Sequence, residues 1–204
     1  MNKDKPQLPL GYSVLPEGCI ATVVTCLEML AKPAPRPVPA PPDLTIERWH
    51  RPDAQAYLGL YRRIGEEWLW MSRLVMEAEA LSAILEDSDV EIYSLMRGTE
   101  RLALLELDFR ESGECELAFF GVDPQAVGTG AGRFLMNAAI DIAWSRPIHR
   151  FWVHTCHLDH PAALAFYQRS GFAVYDRLVE VFRDPRLDGT LRRDAGAHMP
   201  LIER

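Results

Sequence analysis

Val122-Asp-Pro-Gln-Ala-Val-Gly-Thr-Gly-Ala-Gly-Arg133 is the stretch whose reading decides the fold. Before it, Glu116-Leu-Ala-Phe-Phe-Gly-Val122 reads as a strand. After it, Phe134, Leu135, Ala138, Ala139, Ile142 and Ala143 recur at helical spacing, which predicts a helix ending near Trp144. Gly128, Gly130 and Gly132 therefore sit where a strand feeds a helix N-terminus. Free amides and the positive end of the helix dipole converge at such a place, and missing Cβ atoms let an anion approach the backbone. A phosphate cradle and a plain tight turn both fit the loop by itself.

The kind of phosphate site is narrowed by what is missing. The third glycine spacing of a dinucleotide turn is absent. The acid expected about 20 residues further on is also absent, because that region reads His149-Arg-Phe-Trp-Val-His154. No Lys-Ser or Lys-Thr follows the glycines, which excludes a P-loop.

Working outward, Ile20 to Leu30 is rich in β-branched residues and predicts a strand, followed by a proline-rich stretch from Pro33 to Pro42 that reads as a stiff spacer. A strand on such a tether can dock on its own sheet or on a neighbouring subunit, so a homodimer joined through it is one expectation. The main domain is expected from Leu44, giving an extension over 1–43, a domain over 44–182 and an irregular tail over 183–204. Its order is a strand at Leu44–His50, a helix opening at Pro52-Asp53, an aromatic connection from Gly65 to Arg73 and a helix over Glu77–Glu86. Strands follow at Val90–Arg97, Arg101–Phe109 and Glu114–Val122, then the glycine loop and its helix. A strand at Ile148–Leu158, a helix from Asp159-His160-Pro161 to Gly171 and a strand at Phe172–Phe182 complete it. The expected class is α/β, a mixed sheet with helices on both faces.

Composition bounds the function. The 204 residues, 48% of them hydrophobic, can bury one good core. A net charge of −7 argues against a broad nucleic-acid surface. The four cysteines lack C-x-x-C spacing and the six histidines lack H-E-x-x-H, so reduced thiols and no metal are expected. Lys3 and Lys5 before the apolar run from Cys19 to Ala31 imitate a signal peptide, but Thr22, Thr25 and Glu28 interrupt it and it is too short to span a bilayer. A cytoplasmic protein with no membrane partner is expected.

His160-Pro-Ala-Ala-Leu-Ala-Phe-Tyr-Gln-Arg-Ser-Gly-Phe172 is an amphipathic helix with a glycine stop. It also resembles the GNAT superfamily of N-acetyltransferases in its motif N-x-x-A-x-x-[LF]-Y-x-[KR]-x-G-F, through Ala163, Phe166, Tyr167, Arg169, Gly171 and Phe172, with His160 at the usual Asn position. The glycine loop resembles the acetyl-CoA loop of the same family, V-x-P-x-x-[RQ]-x-x-G-x-[GA], with Val127 standing where Arg or Gln is usual. The resemblance covers roughly residues 44–182. It implies a GNAT-type acyl-CoA N-acyltransferase fold and direct transfer of an acetyl group from acetyl-CoA to the amine of a small-molecule or peptide acceptor. A non-catalytic acyl-CoA-binding or regulatory module on the same fold is the alternative.

The family pattern then assigns residues. Phe120, Val122, Val127, Gly128, Thr129, Gly130, Ala131, Gly132, Arg133, His160, Phe166 and Tyr167 are implied to hold the cofactor. Tyr167 matches the tyrosine that protonates the coenzyme sulfur, a fitting donor because a phenol stays protonated at neutral pH. Glu116 matches a glutamate used as base by several members, and alternation places it on one face with Ala118, Phe120 and Val122. A solvated glutamate fits equally. Trp68, Trp70 and Arg73 fall in the segment that covers the acceptor, where ordinary helix packing is the other reading, and His154 is a candidate pocket residue.

Overall fold

The computed structural model describes residues 7–203; Lys3 and Lys5 lie outside the described residues. The strands are β1 Cys19–Met29, β2 Thr45–Arg48, β3 Val90–Arg97, β4 Glu100–Arg101, β5 Ala103–Asp108, β6 Glu114–Val122, β7 Arg150–Cys156 and β8 Ala173–Arg183. The helices are α1 Ala54–Gly65, α2 Ala78–Glu86, α3 Ala131–Ala143 and α4 Ala163–Ser170. The sheet runs β2-β3-β5-β6-β7-β1-β8, with the short β4 paired to β3. The fold is the expected mixed sheet between two helical layers.

Local chemistry sets the helix ends. The Asp53 carboxylate accepts from the Ala56 amide at 2.9 Å and starts α1, whose buried stripe is Tyr57, Leu60, Tyr61 and Ile64. With Leu81, Ile84 and Leu85 of α2 this stripe covers one sheet face around Ile92 and Leu104. Helix α3 buries Leu135, Met136, Ala139 and Ala143 against the other face, around Leu105, Leu107 and Phe151. Gly171, at φ +111°, closes α4.

Sheet neighbours are antiparallel except β6 and β7, which run parallel and pair only from Glu114–Arg150 to Glu116–Trp152. Past that point the two strands part. β6 carries a bulge: Leu107 faces Leu117 and Glu106 faces Phe119, leaving Ala118 as the extra residue. The bulge reverses the side-chain parity. Glu116 consequently shares a face with Phe119, while Phe120 and Val122 turn to the α3 face. This corrects the expectation that Glu116, Ala118, Phe120 and Val122 line up.

Strand β1 takes the first of the two expected placements, docking on its own sheet. It lies inside the sheet, antiparallel to β7 on one edge and to β8 on the other. The domain therefore begins at Cys19, not Leu44. Along Val24–Met29 both of its edges are paired within the chain, while Cys19–Val23 pair with β8 alone. The proline-rich stretch after it runs beside α3, where the Asn137 amide donates to the Arg36 carbonyl at 2.8 Å.

Beyond β8 the described residues 184–203 contain no helix or strand, yet the segment is anchored. Buried Arg186 clamps buried Asp184 through two bonds of 2.9 and 2.7 Å and donates to the carbonyls of buried Ala195 and half-buried Met199. Leu191 and Ala195 pack on Ile20, Leu69 and Leu158. Arg192 pairs with Glu66 and Glu67, holding the turn after α1.

A chain beginning at Leu44 should fail to fold, because β7 and β8 would lose the strand that joins them. Circular dichroism should show no cooperative melt; a cooperative melt near that of the full chain would show β1 to be dispensable.

Candidate active site

A single cavity of about 880 Å³ occupies the gap where β6 and β7 part. It passes through the sheet between β6 and β7, so its wall draws on both faces. One end is formed by the glycine loop, Phe120, Val122 and α4; the other by α1, the turn after it, Phe119, β7 and the far end of β8.

At the loop end, Asp123 caps the turn through the Gln125 amide at 3.0 Å. Gly128 and Gly130 adopt φ of +80° and +87°, a region that costs side chains about 1 kcal/mol or more. The first intrahelical bond of α3 runs from Phe134 to the Gly130 carbonyl, so the Ala131, Gly132 and Arg133 amides have no helical partner. Ala131 has a 3.4 Å contact to the Thr129 hydroxyl. A Cβ on Gly132 would meet nothing within 4 Å, so packing does not require that glycine. Open space, free amides and a helix dipole together fit an anion. Arg133 and Arg169 line the same end, and neither forms an ion pair with a described residue. A coenzyme pyrophosphate fits these residues: Gly128, Gly130, Gly132 and Arg133 would hold it, with Arg169 beside them.

The remaining expected cofactor residues divide. Phe120, Val122, Val127, His160, Phe166 and Tyr167 reach the wall. Thr129 and Ala131 do not: the Thr129 hydroxyl donates to the Ala126 carbonyl at 2.7 Å, and Ala131 is fully buried. His160 orders the turn ahead of α4, its Nδ1 accepting from the Ala162 amide at 3.1 Å.

Tyr167 lies between the two ends, packed edge-to-face among Phe120, Phe166 and Phe172. Burial first, and then the Asp159 carboxylate, raise its pKa well above that of a free phenol. It therefore holds its proton. Glu116 stands just outside the cavity wall, which begins at Leu117. Its Oε1 is 3.7 Å from Nδ1 of His154, and His154 does line the cavity. Burial, and secondarily the Asp108 carboxylate paired across the sheet, push the Glu116 pKa up to about 7.

At the far end Trp68 and Trp70 reach the wall as expected. Trp70 packs on Tyr61 and Phe119 and donates to Asp159 at 3.3 Å; a Cβ on Gly121 would collide with Ile64, so that close approach needs glycine. Arg73 does not line the cavity. It is buried behind it, bonded at 2.5 Å to Glu106, whose other oxygen accepts from Tyr57 at 2.6 Å. Breaking such a pair costs about 3–5 kcal/mol, so Arg73 fixes the wall and does not touch its contents. Glu180 and Arg169 reach the cavity and were not among the expected site residues. Arg169 had a signal in the helix motif; Glu180 had none, since its strand's neighbours were not known.

The chain belongs to the acetyltransferase (GNAT) family, whose model matches residues 27–172. No curated protein matches it in sequence. Among solved structures, it is similar to a GCN5-related N-acetyltransferase from Sphaerobacter thermophilus, at 12% identity and a TM-score of 0.57 over 79% of this chain and 51% of that one. It is also similar to an aminoglycoside acetyltransferase from an uncultured soil metagenomic sample, at 19% identity, with a TM-score of 0.52 over 63% and 88%. A transcriptional regulator from Bacillus halodurans aligns at 22% identity and a TM-score of 0.50 over 64% and 93%. These likenesses share the fold. Among the described residues no helix is long and apolar enough to cross a membrane, and no cluster could hold a metal ion.

The native state keeps the Glu116 proton up to about pH 7, whereas an ordinary carboxyl releases it near 4.5. The native state thus binds more protons across that window, and stability falls as pH rises through it. Glu116→Gln should raise the Tm at pH 8 and leave it unchanged at pH 4. Equal Tm values at both would mean a solvated carboxylate.

Proposed function

We propose that this protein is an acetyl-CoA-dependent N-acetyltransferase that moves the acetyl group directly to an amine, with donor and acceptor bound together. The observation that carries the reading is the single cavity joining the free amides of α3 to the aromatic wall across the sheet. Donor and acceptor can meet within it without leaving the protein.

Bound acetyl-CoA would supply a thioester, an acyl carbon open to attack. The loop amides with Arg133 and Arg169 neutralise and orient its phosphates. Tyr167, kept protonated by burial, is the group able to donate a proton to the departing sulfur. An alkylammonium has a pKa of about 10 and must lose a proton before it can attack. Glu116, half ionised near neutral pH, can take that proton through His154 or a water chain.

A second reading, a non-catalytic acyl-CoA-binding module, is favoured by one observation: Glu116 stands off the cavity wall. Turnover separates the two. Acetyl-CoA, compared with NAD in a thermal-shift titration, should alone give a saturable rise in Tm. No rise with either would sink both readings.

Tyr167→Phe should lower kcat by about 10²-fold while leaving acetyl-CoA affinity nearly unchanged. Parallel losses in binding and turnover would assign Tyr167 a packing role. Gly132→Ala should separate stability from binding: a helical glycine is worth about 0.5–1 kcal/mol less than alanine, so the unliganded Tm should rise. The same methyl would fill the cradle and weaken acetyl-CoA. A variant that binds acetyl-CoA as well as the parent would place the phosphates elsewhere.

A further inference from the structure

The two ends of the cavity differ in charge and polarity, and that difference bears on the acceptor. Arg133 and Arg169 both lie at the loop end. The far end holds no lysine or arginine and is walled by Tyr61, Trp68, Trp70, Met71, Phe119 and Phe182. Its hydroxyls are engaged: Ser72 with the Tyr61 hydroxyl at 3.2 Å, and Thr22 with His157 at 3.3 Å. It contains two carboxylates. Asp159 is occupied on both oxygens, by Trp70 on one and by the Thr155 hydroxyl and the Cys156 amide on the other. Glu180, exposed on β8 opposite Thr22, forms no ion pair or hydrogen bond with a described residue.

We propose that the acceptor is a primary monoamine carried on an aromatic or aliphatic body, drawn in by Glu180 at the cavity rim. The inference rests on the transferase reading above and names the acceptor class for that site. An acceptor with an α-carboxylate would bury its negative charge where no cation receives it, beside two carboxylates. A polyhydroxylated polyamine would give up water from each hydroxyl and find few free partners in return. An apolar body regains its desolvation against the ring wall, and an entering ammonium is attracted by the faces of Trp68, Trp70 and Tyr61. In the reaction the nitrogen forms its bond to the acyl carbon as the carbon–sulfur bond breaks. One ammonium proton leaves toward His154 and Glu116 before attack; the sulfur takes a proton from Tyr167, and the second proton that the nitrogen sheds as the amide forms restores the Tyr167 phenol by way of solvent.

The test uses the full chain and begins without any donor. Tryptophan fluorescence is titrated with 2-phenylethylamine, with phenylalanine (the same body bearing a carboxylate) and with kanamycin. Phenylethylamine should quench saturably, and phenylalanine should bind at least ~100-fold more weakly. Glu180→Gln should weaken phenylethylamine by ~10-fold. Its acetyl-CoA thermal shift should be retained, which shows that the variant is folded. Tighter binding of phenylalanine or kanamycin, no quench by phenylethylamine, or an indifferent Glu180→Gln would overturn the inference. A lost quench with the acetyl-CoA shift intact fails the acceptor class alone. A quench without any acetyl-CoA shift fails the donor reading instead.

Discussion

The site exists because β6 and β7 stop pairing. Parallel hydrogen bonds hold them from Glu114–Arg150 to Glu116–Trp152, and beyond Trp152 each strand exposes backbone groups into a shared gap. Unsatisfied strand edges are costly when buried, so a split inside a sheet needs another source of order on each side. β6 has it in β5, with which it stays paired to Ala103–Val122. β7 has it in β1, which pairs along Phe151–Cys156 with Met29–Val24. The parted half of β7 is therefore secured by a strand from the other end of the chain. The remaining polar groups of the gap face the cavity, where a bound molecule can meet them.

The bulge at Ala118 completes what the split begins. Without it, Glu116 and Phe120 would share a face, and the carboxyl would lie on the α3 side with the coenzyme loop. With it, Glu116 joins Asp108 and Glu106 on the face covered by α1, while Phe120 meets Phe166 and Tyr167. Burial first, and then repulsion from the Asp108 and Glu106 carboxylates on the same face, lift the Glu116 pKa. The Arg73–Glu106–Tyr57 cluster offsets part of that charge and anchors the wall segment next to it. One inserted residue thus puts the Glu116 carboxyl and the Tyr167 phenol on opposite sides of the sheet.

What could be read from the residues was what local chemistry dictates. Gly128 and Gly130 announce positive φ, Asp53 and Gly171 announce helix ends, and the two motifs in order announce the family. What could not be read depends on partners far away in sequence. Alternation places Glu116 correctly only if no bulge intervenes, and a bulge is visible only against the opposite strand. The Ile20–Leu30 stretch has the composition of a strand, but nothing in it tells that β7 and β8 leave a slot of its width. Arg73 looked like a pocket cation because its buried partner, Glu106, lies on a strand whose inward face was unknown. Glu180 went unnoticed for the same reason.

His160 and Val127, the two departures from the family pattern, can be weighed by what each position must supply. At position 160 the imidazole Nδ1 accepts from the amide of Ala162, the residue just ahead of α4, at 3.1 Å. A neutral imidazole accepting there carries its proton on Nε2, so the ring keeps a donor for other use. At position 127 the side chain is exposed, and the residue lies between the Asp123-capped turn and the first left-handed glycine. The backbone path through it is set by those flanking residues, not by the side chain. Losing a polar side chain at that point removes one possible contact and leaves the amides of α3 where they were. What fixes the loop is its backbone, held by the Asp123 turn and the two left-handed glycines.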